Sequence, residues 1–308
     1  MERNGMTIPS AIKIHGYEKH FPGFDLGPLD LEIPAGFTTA LIGENGAGKS
    51  TLLDALGGIT SSSGKITWLE KYTNLDQNNG EPRNEIGWCA ANRFFPMNWT
   101  LKNIRKSLPL AFDNFSLEKF NSLLQEFGIA EEDSKHPKRM NAYSDGNRAR
   151  LAIASVLARD TKLLILDEPD SSLDPVIRDV LNSKFRQYIS HGNGESSILF
   201  STHNIADMES VVDYVVFLAH GRVLAKGFVE DMREQYRYVH GPRAFIEQLP
   251  SVQNAPQSGL SLFEFYYFDD DKVEGLCRTE NADKFDEHFA VEVPTLQQLA
   301  VLILRSGD

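Results

Sequence analysis

Short, uninterrupted apolar runs recur along the 308-residue chain, several of them ending on a polar or glycine residue. Residues 38–42 (TTALI), 163–166 (LLIL) and 197–202 (SILFST) lack the in–out alternation of a half-solvated strand. They read as strands of a parallel sheet covered on both faces. Residues 213–227 (DYVVFLAHGRVLAKG) read as two strands about a turn at His220 and Gly221. Between these runs the period changes. Over residues 117–127 apolar side chains fall at Leu117, Phe120, Leu123, Leu124 and Phe127, a helical spacing, and the stretch from about 96 to 160 reads as mostly helical. Past Tyr238 come a polar loop (253–258), an aromatic strand (263–268) and an acidic turn (269–271). A final helix follows. Thr295 and Gln298 make a capping box, and Leu296, Leu299, Ala300, Ile303 and Leu304 form one stripe.

The ends of the apolar strands carry the chemistry. After 38–42 comes Gly43-Glu44-Asn45-Gly46-Ala47-Gly48-Lys49-Ser50-Thr51, the pattern G-x-x-x-x-G-K-S of a phosphate-binding P-loop. Its glycines let backbone N–H groups turn inward around phosphate oxygens. A helix starting near Gly48 aims its positive end at the same anion. Lys49 is placed to reach the β- and γ-phosphates and Ser50 to ligate Mg²⁺. Asp167 and Glu168 follow 163–166 at the strand end where ligands bind in α/β sheets. The first suits organising a metal ion, the second orienting or deprotonating a water. His203 ends the 197–202 run, where it could donate to the γ-phosphate.

Composition narrows the partners. The net charge of −12 (43 acidic against 31 basic residues) leaves no basic field for nucleic acid. Cys89 and Cys277 have no metal-ligand spacing and are expected as reduced thiols, with a distant disulfide between them as the alternative. The start of the chain lacks the long apolar stretch of a secretory signal, and the apolar runs are too short to span a bilayer.

The P-loop, LLILDEP, SSLDP and STHN in this order resemble the nucleotide-binding ATPase of ABC (ATP-binding cassette) transporters, over roughly residues 12–227. The resemblance implies an α/β fold: a P-loop NTPase (RecA-like) core, an antiparallel β subdomain and a helical subdomain, with a small C-terminal α+β appendage. It implies ATP and Mg²⁺ as cofactors. It also implies a second ATPase subunit, of the same or a homologous chain, facing this one head to tail, so that each ATP lies between one P-loop and the partner's signature segment. Residue by residue, Phe21 matches the aromatic that stacks on adenine, with Phe24 a rival. Asp167 matches the Walker B aspartate, Glu168 the catalytic glutamate, Asp174 (in 172–174) the D-loop and His203 the switch histidine. The signature appears as Tyr143-Ser144-Asp145-Gly146-Asn147. Ser144 and Gly146 keep the hydroxyl and free N–H that bind a γ-phosphate. Asp145 replaces a glycine and is expected to point away or to weaken the opposite site. In the Q-loop Ala91 falls where glutamine is expected, which leaves Asn92, one residue late and one methylene short, as the candidate metal ligand.

This reading places an ABC nucleotide-binding domain at 1–238, its helical subdomain at about 96–160, and an appendage at 239–308. The aromatics Trp88, Phe94, Phe95 and Trp99 either fill the subdomain's own core or lie where the family receives a membrane subunit. The expected function is the ATP-hydrolysing subunit of an exporter of peptide or drug-like substrates, coupled to a separate transmembrane permease. Such a subunit would sit on the cytoplasmic face of the cell membrane, held only through that permease. An importer ATPase and a soluble non-transport ABC ATPase are the alternatives.

Overall fold

Residues 2–3, 5–60, 63–75, 82–90, 93–130, 137–203, 205–249, 259–269 and 271–306 are described by a computed structural model. The N-terminal half holds β1 (Glu2–Arg3), β2 (Met6–Thr7), β3 (Ser10–Phe21), β4 (Phe24–Pro34), β5 (Thr38–Ile42), α1 (Lys49–Leu56), β6 (Lys65–Trp68), β7 (Tyr72–Thr73) and β8 (Ile86–Ala90). Then come α2 (Leu101–Ala111), α3 (Leu117–Glu126), α4 (Asp145–Leu157), β9 (Leu163–Asp167), α5 (Pro175–His191), β10 (Ser197–Thr202), β11 (Tyr214–Ala219) and β12 (Arg222–Phe228). The last part comprises α6 (Val229–Gln235), β13 (Tyr236–Pro242), β14 (Phe263–Phe268), β15 (Lys272–Arg278), β16 (Ala290–Glu292) and α7 (Leu296–Arg305).

The uninterrupted apolar runs form the central sheet, in the order β12-β11-β5-β10-β9-β8. All of its pairings are parallel except β11 with β12. Each buried strand feeds two cores with alternate residues. Leu41, Leu163, Ile165, Leu199, Val216 and Leu218 join α1 and the antiparallel sheet β4-β3-β6-β7 on one side. Ile42, Leu164, Leu166, Ile198, Phe200 and Phe217 face the helices on the other. That division is why these runs lack polar alternation. β4 shows the contrasting pattern: Leu26, Leu29, Leu31 and Ile33 are buried while intervening positions reach solvent.

The helical stretch supplies α2, α3 and α4. Ser116 caps α3 through Lys119 N–H (3.2 Å), and Phe120, Leu123, Leu124 and Phe127 are buried in the same core as Leu151 and Ala152 of α4. Leu117 departs from the expected stripe. It sits in the first turn, 42% exposed, past the edge of the packed seam.

From Tyr236 onward the chain builds a second sheet, in the order β14-β15-β13-β16, with its own small core around Val239, Phe263 and Val273. The Thr295–Gln298 capping box starts α7. Leu296, Leu299, Ala300 and Ile303 are buried as the stripe requires, and Leu304 is partly so. Their partners include Val215 and Phe217 of the central sheet's core, so α7 returns to the ATPase core. Cys89 and Cys277 are buried and unpaired. Among the described residues no helix is long and apolar enough to cross a membrane. The 253–258 loop lies outside the described residues.

Candidate functional site

β5 runs straight into the phosphate loop, and α1 begins at Lys49 with Gly48 as its N-cap. Gly48 has φ +106°, and a Cβ there would come within 2.8 Å of Leu26 Cδ1 and 3.2 Å of Phe24 Cζ. Only glycine satisfies both demands. The Lys49 ammonium folds over the loop and donates to the carbonyls of Gly43 (2.7 Å) and Glu44 (3.0 Å). Burial pulls it below the ordinary lysine value, and the carboxylates of Glu168, Asp167 and Glu44 oppose that shift.

Strand order brings the acids to this loop. β9 is separated from β5 by β10 alone, and all three end on the same sheet edge. Ser50 Oγ donates to Asp167 Oδ1 at 3.1 Å, and Ser201 Oγ donates to the same oxygen at 2.7 Å. Ser201 Oγ also accepts the Glu168 N–H at 2.9 Å, so one hydroxyl orders both acids. Glu168 has φ +46°, a left-handed conformation that an L side chain rarely adopts. Its Oε1 lies 3.9 Å from Lys49 Nζ and 3.3 Å from His203 Nδ1. The oxygen donors of Ser50 and Asp167 fit a magnesium ion, which takes one or two carboxylates and otherwise phosphate and water. Phe21 and Phe24, whose ring centroids are 6.3 Å apart, line a cleft of about 330 Å³ with Asn45, Gly46, Lys49, Ser50, Thr51 and Glu168. Both aromatic candidates therefore stay adjacent to the loop.

Asn92, with Ala91, lies outside the described residues. Ser144, Gly146 and Asp174 are gathered at a second place. Ser144 caps α4, accepting the Asn147 N–H at 3.3 Å. A Cβ on Gly146 would meet Ser172 O at 2.5 Å, so this glycine lets the D-loop pack on the signature. Asp174 caps α5 through Ile177 N–H (3.1 Å), which holds its carboxyl below the usual range, and it pairs with Arg150. Asp145 pairs with Arg148, whose other nitrogen donates to Tyr143 O at 2.7 Å.

Three features escaped the sequence reading. Ser201 is the shared partner of the two acids, and SILFST marked it only as part of a strand. Arg93 forks onto Asp54 with both bonds at 3.0 Å and lies 3.6 Å from Asp167. Finally, α7 meets the loop: Gln297, Val301, Leu304 and Arg305 share a cavity of about 570 Å³ with Glu44, Asn45 and His203.

A parallel sheet with a glycine loop after one strand and paired acids one strand further along defines a P-loop nucleoside triphosphatase. Residues 26–171 match the ABC transporter family. The chain is 35% identical over 206 residues to the uncharacterized ABC transporter ATP-binding protein YxlF of Bacillus subtilis, covering 64% of this chain but only 63% of that relative's length. It is 31% identical over 228 residues to a probable sulfate/thiosulfate import ATP-binding protein of Chlorella vulgaris (73% of this chain, 94% of the relative). It is also 31% identical over 286 residues to the Nod factor export ATP-binding protein I of Rhizobium leguminosarum bv. viciae (89% of this chain, 81% of the relative). Among solved structures, the dimeric post-hydrolysis ATP-binding cassette MJ0796, bound to ADP and Pi, shares the fold (TM-score 0.58, 20% identity, 71% of this chain, 98% of that one). The chain belongs to the ATP-binding subunits of ABC transporters, a family of ATPases.

Proposed function

We propose that this chain hydrolyses ATP at the loop of residues 43–51 and drives an exporter through a separate transmembrane permease. The observation that carries the reading is the polar network Ser50–Asp167–Ser201–Glu168–His203 beside Lys49, with Ser50 and Glu168 opening onto the cleft. Phosphate oxygens are stronger acceptors for Lys49 than the Gly43 and Glu44 carbonyls it now engages. Ser50 and Asp167 would hold Mg²⁺, which when bound neutralises charge on the β- and γ-phosphates. Glu168 Oε1 would take a proton from the water whose oxygen attacks the γ-phosphorus as the bond from that phosphorus to the β–γ bridging oxygen breaks and ADP leaves, and His203 would fix that carboxylate and the water. Phe21 or Phe24 would stack on adenine.

Each chain would supply two half-sites: the loop with its acids, and the signature with the D-loop. A head-to-tail pair joins them, as the dimeric assembly of the MJ0796 cassette also suggests. Export is favoured over import by how far the alignments run. The Nod factor export relative covers 89% of this chain, so its match reaches into the second sheet, whereas the import relative covers 73%. The permease would seat in the groove lined by Ile59, Trp88, Phe94 and Phe112, where Ile59 is 54% exposed. Peptide or drug-like cargo is the class the family resemblance suggests.

Glu168→Gln tests the core of this reading. Steady-state ATP turnover should fall by roughly 100-fold or more, the usual scale for a lost general base. The variant should still bind ATP and should elute as an ATP-dependent dimer. Turnover equal to wild type would remove Glu168 from the reaction.

A further inference from the structure

We propose that Arg93 is a built-in cation of the metal site: a positioning residue, held by Asp54, that shares Asp167 with the metal ion and loosens the ion's hold. The inference rests on the reading that ATP and Mg²⁺ bind at this loop. Arg93 lies past the end of β8, where its N–H donates to Ala90 O at 2.9 Å. Its guanidinium reaches α1. There it meets the Asp54 carboxylate in a bidentate fork, Nη1 to Oδ2 and Nη2 to Oδ1, both 3.0 Å. Such forks fix geometry as well as charge. The Asp54 side chain is only 11% exposed, so the anchor is a buried anion from the helix that also carries Lys49 and Ser50.

The guanidinium does not stop at Asp54. Its Nη2 lies 3.6 Å from Asp167 Oδ2, while Asp167 Oδ1 takes the two hydroxyls of Ser50 and Ser201. Asp167 is thus faced by donors at one oxygen and by a permanent cation at the other. A metal ion drawn to Asp167 meets that cation. At about 6 Å in a water-like dielectric, a unit charge changes the affinity for a divalent ion by roughly tenfold. Arg93 therefore orients Asp167 and lowers the affinity of the metal ion that would share it.

The test is the ratio of nucleotide affinity with Mg²⁺ to affinity with EDTA, read by fluorescence of a trinitrophenyl-labelled ATP on the full chain. Arg93→Ala should raise that ratio by roughly tenfold, because the repulsion is lost and Asp54 adds its own charge. Arg93→Lys keeps the cation but loses the fork, so its ratio should fall between those of wild type and Arg93→Ala. Arg93→Ala combined with Asp54→Asn restores the local charge balance and should return toward wild type. A ratio unchanged or lowered in Arg93→Ala overturns the proposal, as does a double variant that stays as high as the single one. Should wild type bind the nucleotide under neither condition, the site reading falls with it. Every other negative outcome removes Arg93 alone.

Discussion

The two polar clusters of this chain handle their charges in opposite ways. At the ends of β5, β9 and β10, Lys49, Ser50, Asp167, Glu168, Ser201 and His203 address one another, and Lys49, Ser50 and Glu168 line one cleft. At the start of α4, each charged group is taken by a near neighbour. Arg148 holds Asp145, Arg150 holds Asp174, and α4 and the D-loop are closed on each other through Gly146 and Ser172. The first cluster is a set of groups that face one another, with Arg93 at its edge beside Asp167. The second is a scaffold with its charges neutralised, presenting a serine hydroxyl and helix N–H groups. On the proposed function, chemistry belongs to the first cluster and geometry to the second, so substitutions in them should fail differently.

Lys49→Ala should have the largest effect. It removes the cation that now bridges Gly43 O and Glu44 O and would otherwise grip two phosphates. Two charge-assisted bonds amount to about 3 kcal/mol, so ATP affinity should fall by roughly 100-fold. Equilibrium binding measures this, and a thermal melt shows whether the fold survives. Unaltered affinity would mean that the loop does not hold the triphosphate.

Arg150→Ala probes the scaffold. Arg150 ties Phe127 O (3.2 Å) and Asp174 to the signature helix. Its loss should leave ATP affinity of the single chain unchanged while lowering turnover by roughly tenfold, since only the assembled site uses this geometry. Should affinity drop and turnover per bound ATP stay constant, the two clusters would not be separable as described.

The residues that the sequence made legible are those whose information is local. LLIL and SILFST announced buried strands because both faces of the sheet are covered, so no polar alternation survives. The stripe of α7 was visible for the same reason, but its partner was not. Nothing near Leu299 or Ile303 says that they pack with Val215 and Phe217. Leu117 shows the limit of periodicity, which gives the direction of a face but not where the contact ends. Arg93 and Asp54 are 39 positions apart, and their pairing depends on the chain beyond β8 coming back to α1. Asp145 could have been resolved from spacing, since Arg148 is one helical turn along.

Asp145→Gly should produce the smallest change and the sharpest test of the comparison. The Asp145 carboxylate lies on Arg148, so the signature presents a compensated pair rather than a bare negative charge. Replacing it by glycine removes the anion and frees Arg148, a net gain of one positive charge where the partner's ATP would sit. Because this pair faces solvent, screening reduces the gain to roughly two- to fivefold in dimer affinity. Sedimentation of the Glu168→Gln background with ATP measures it, and the gain should shrink between about 0.05 M and about 0.5 M salt. A dimer no tighter at low salt would show that Arg148 stays turned from the nucleotide even when released. The signature would then contribute its hydroxyl and N–H groups alone.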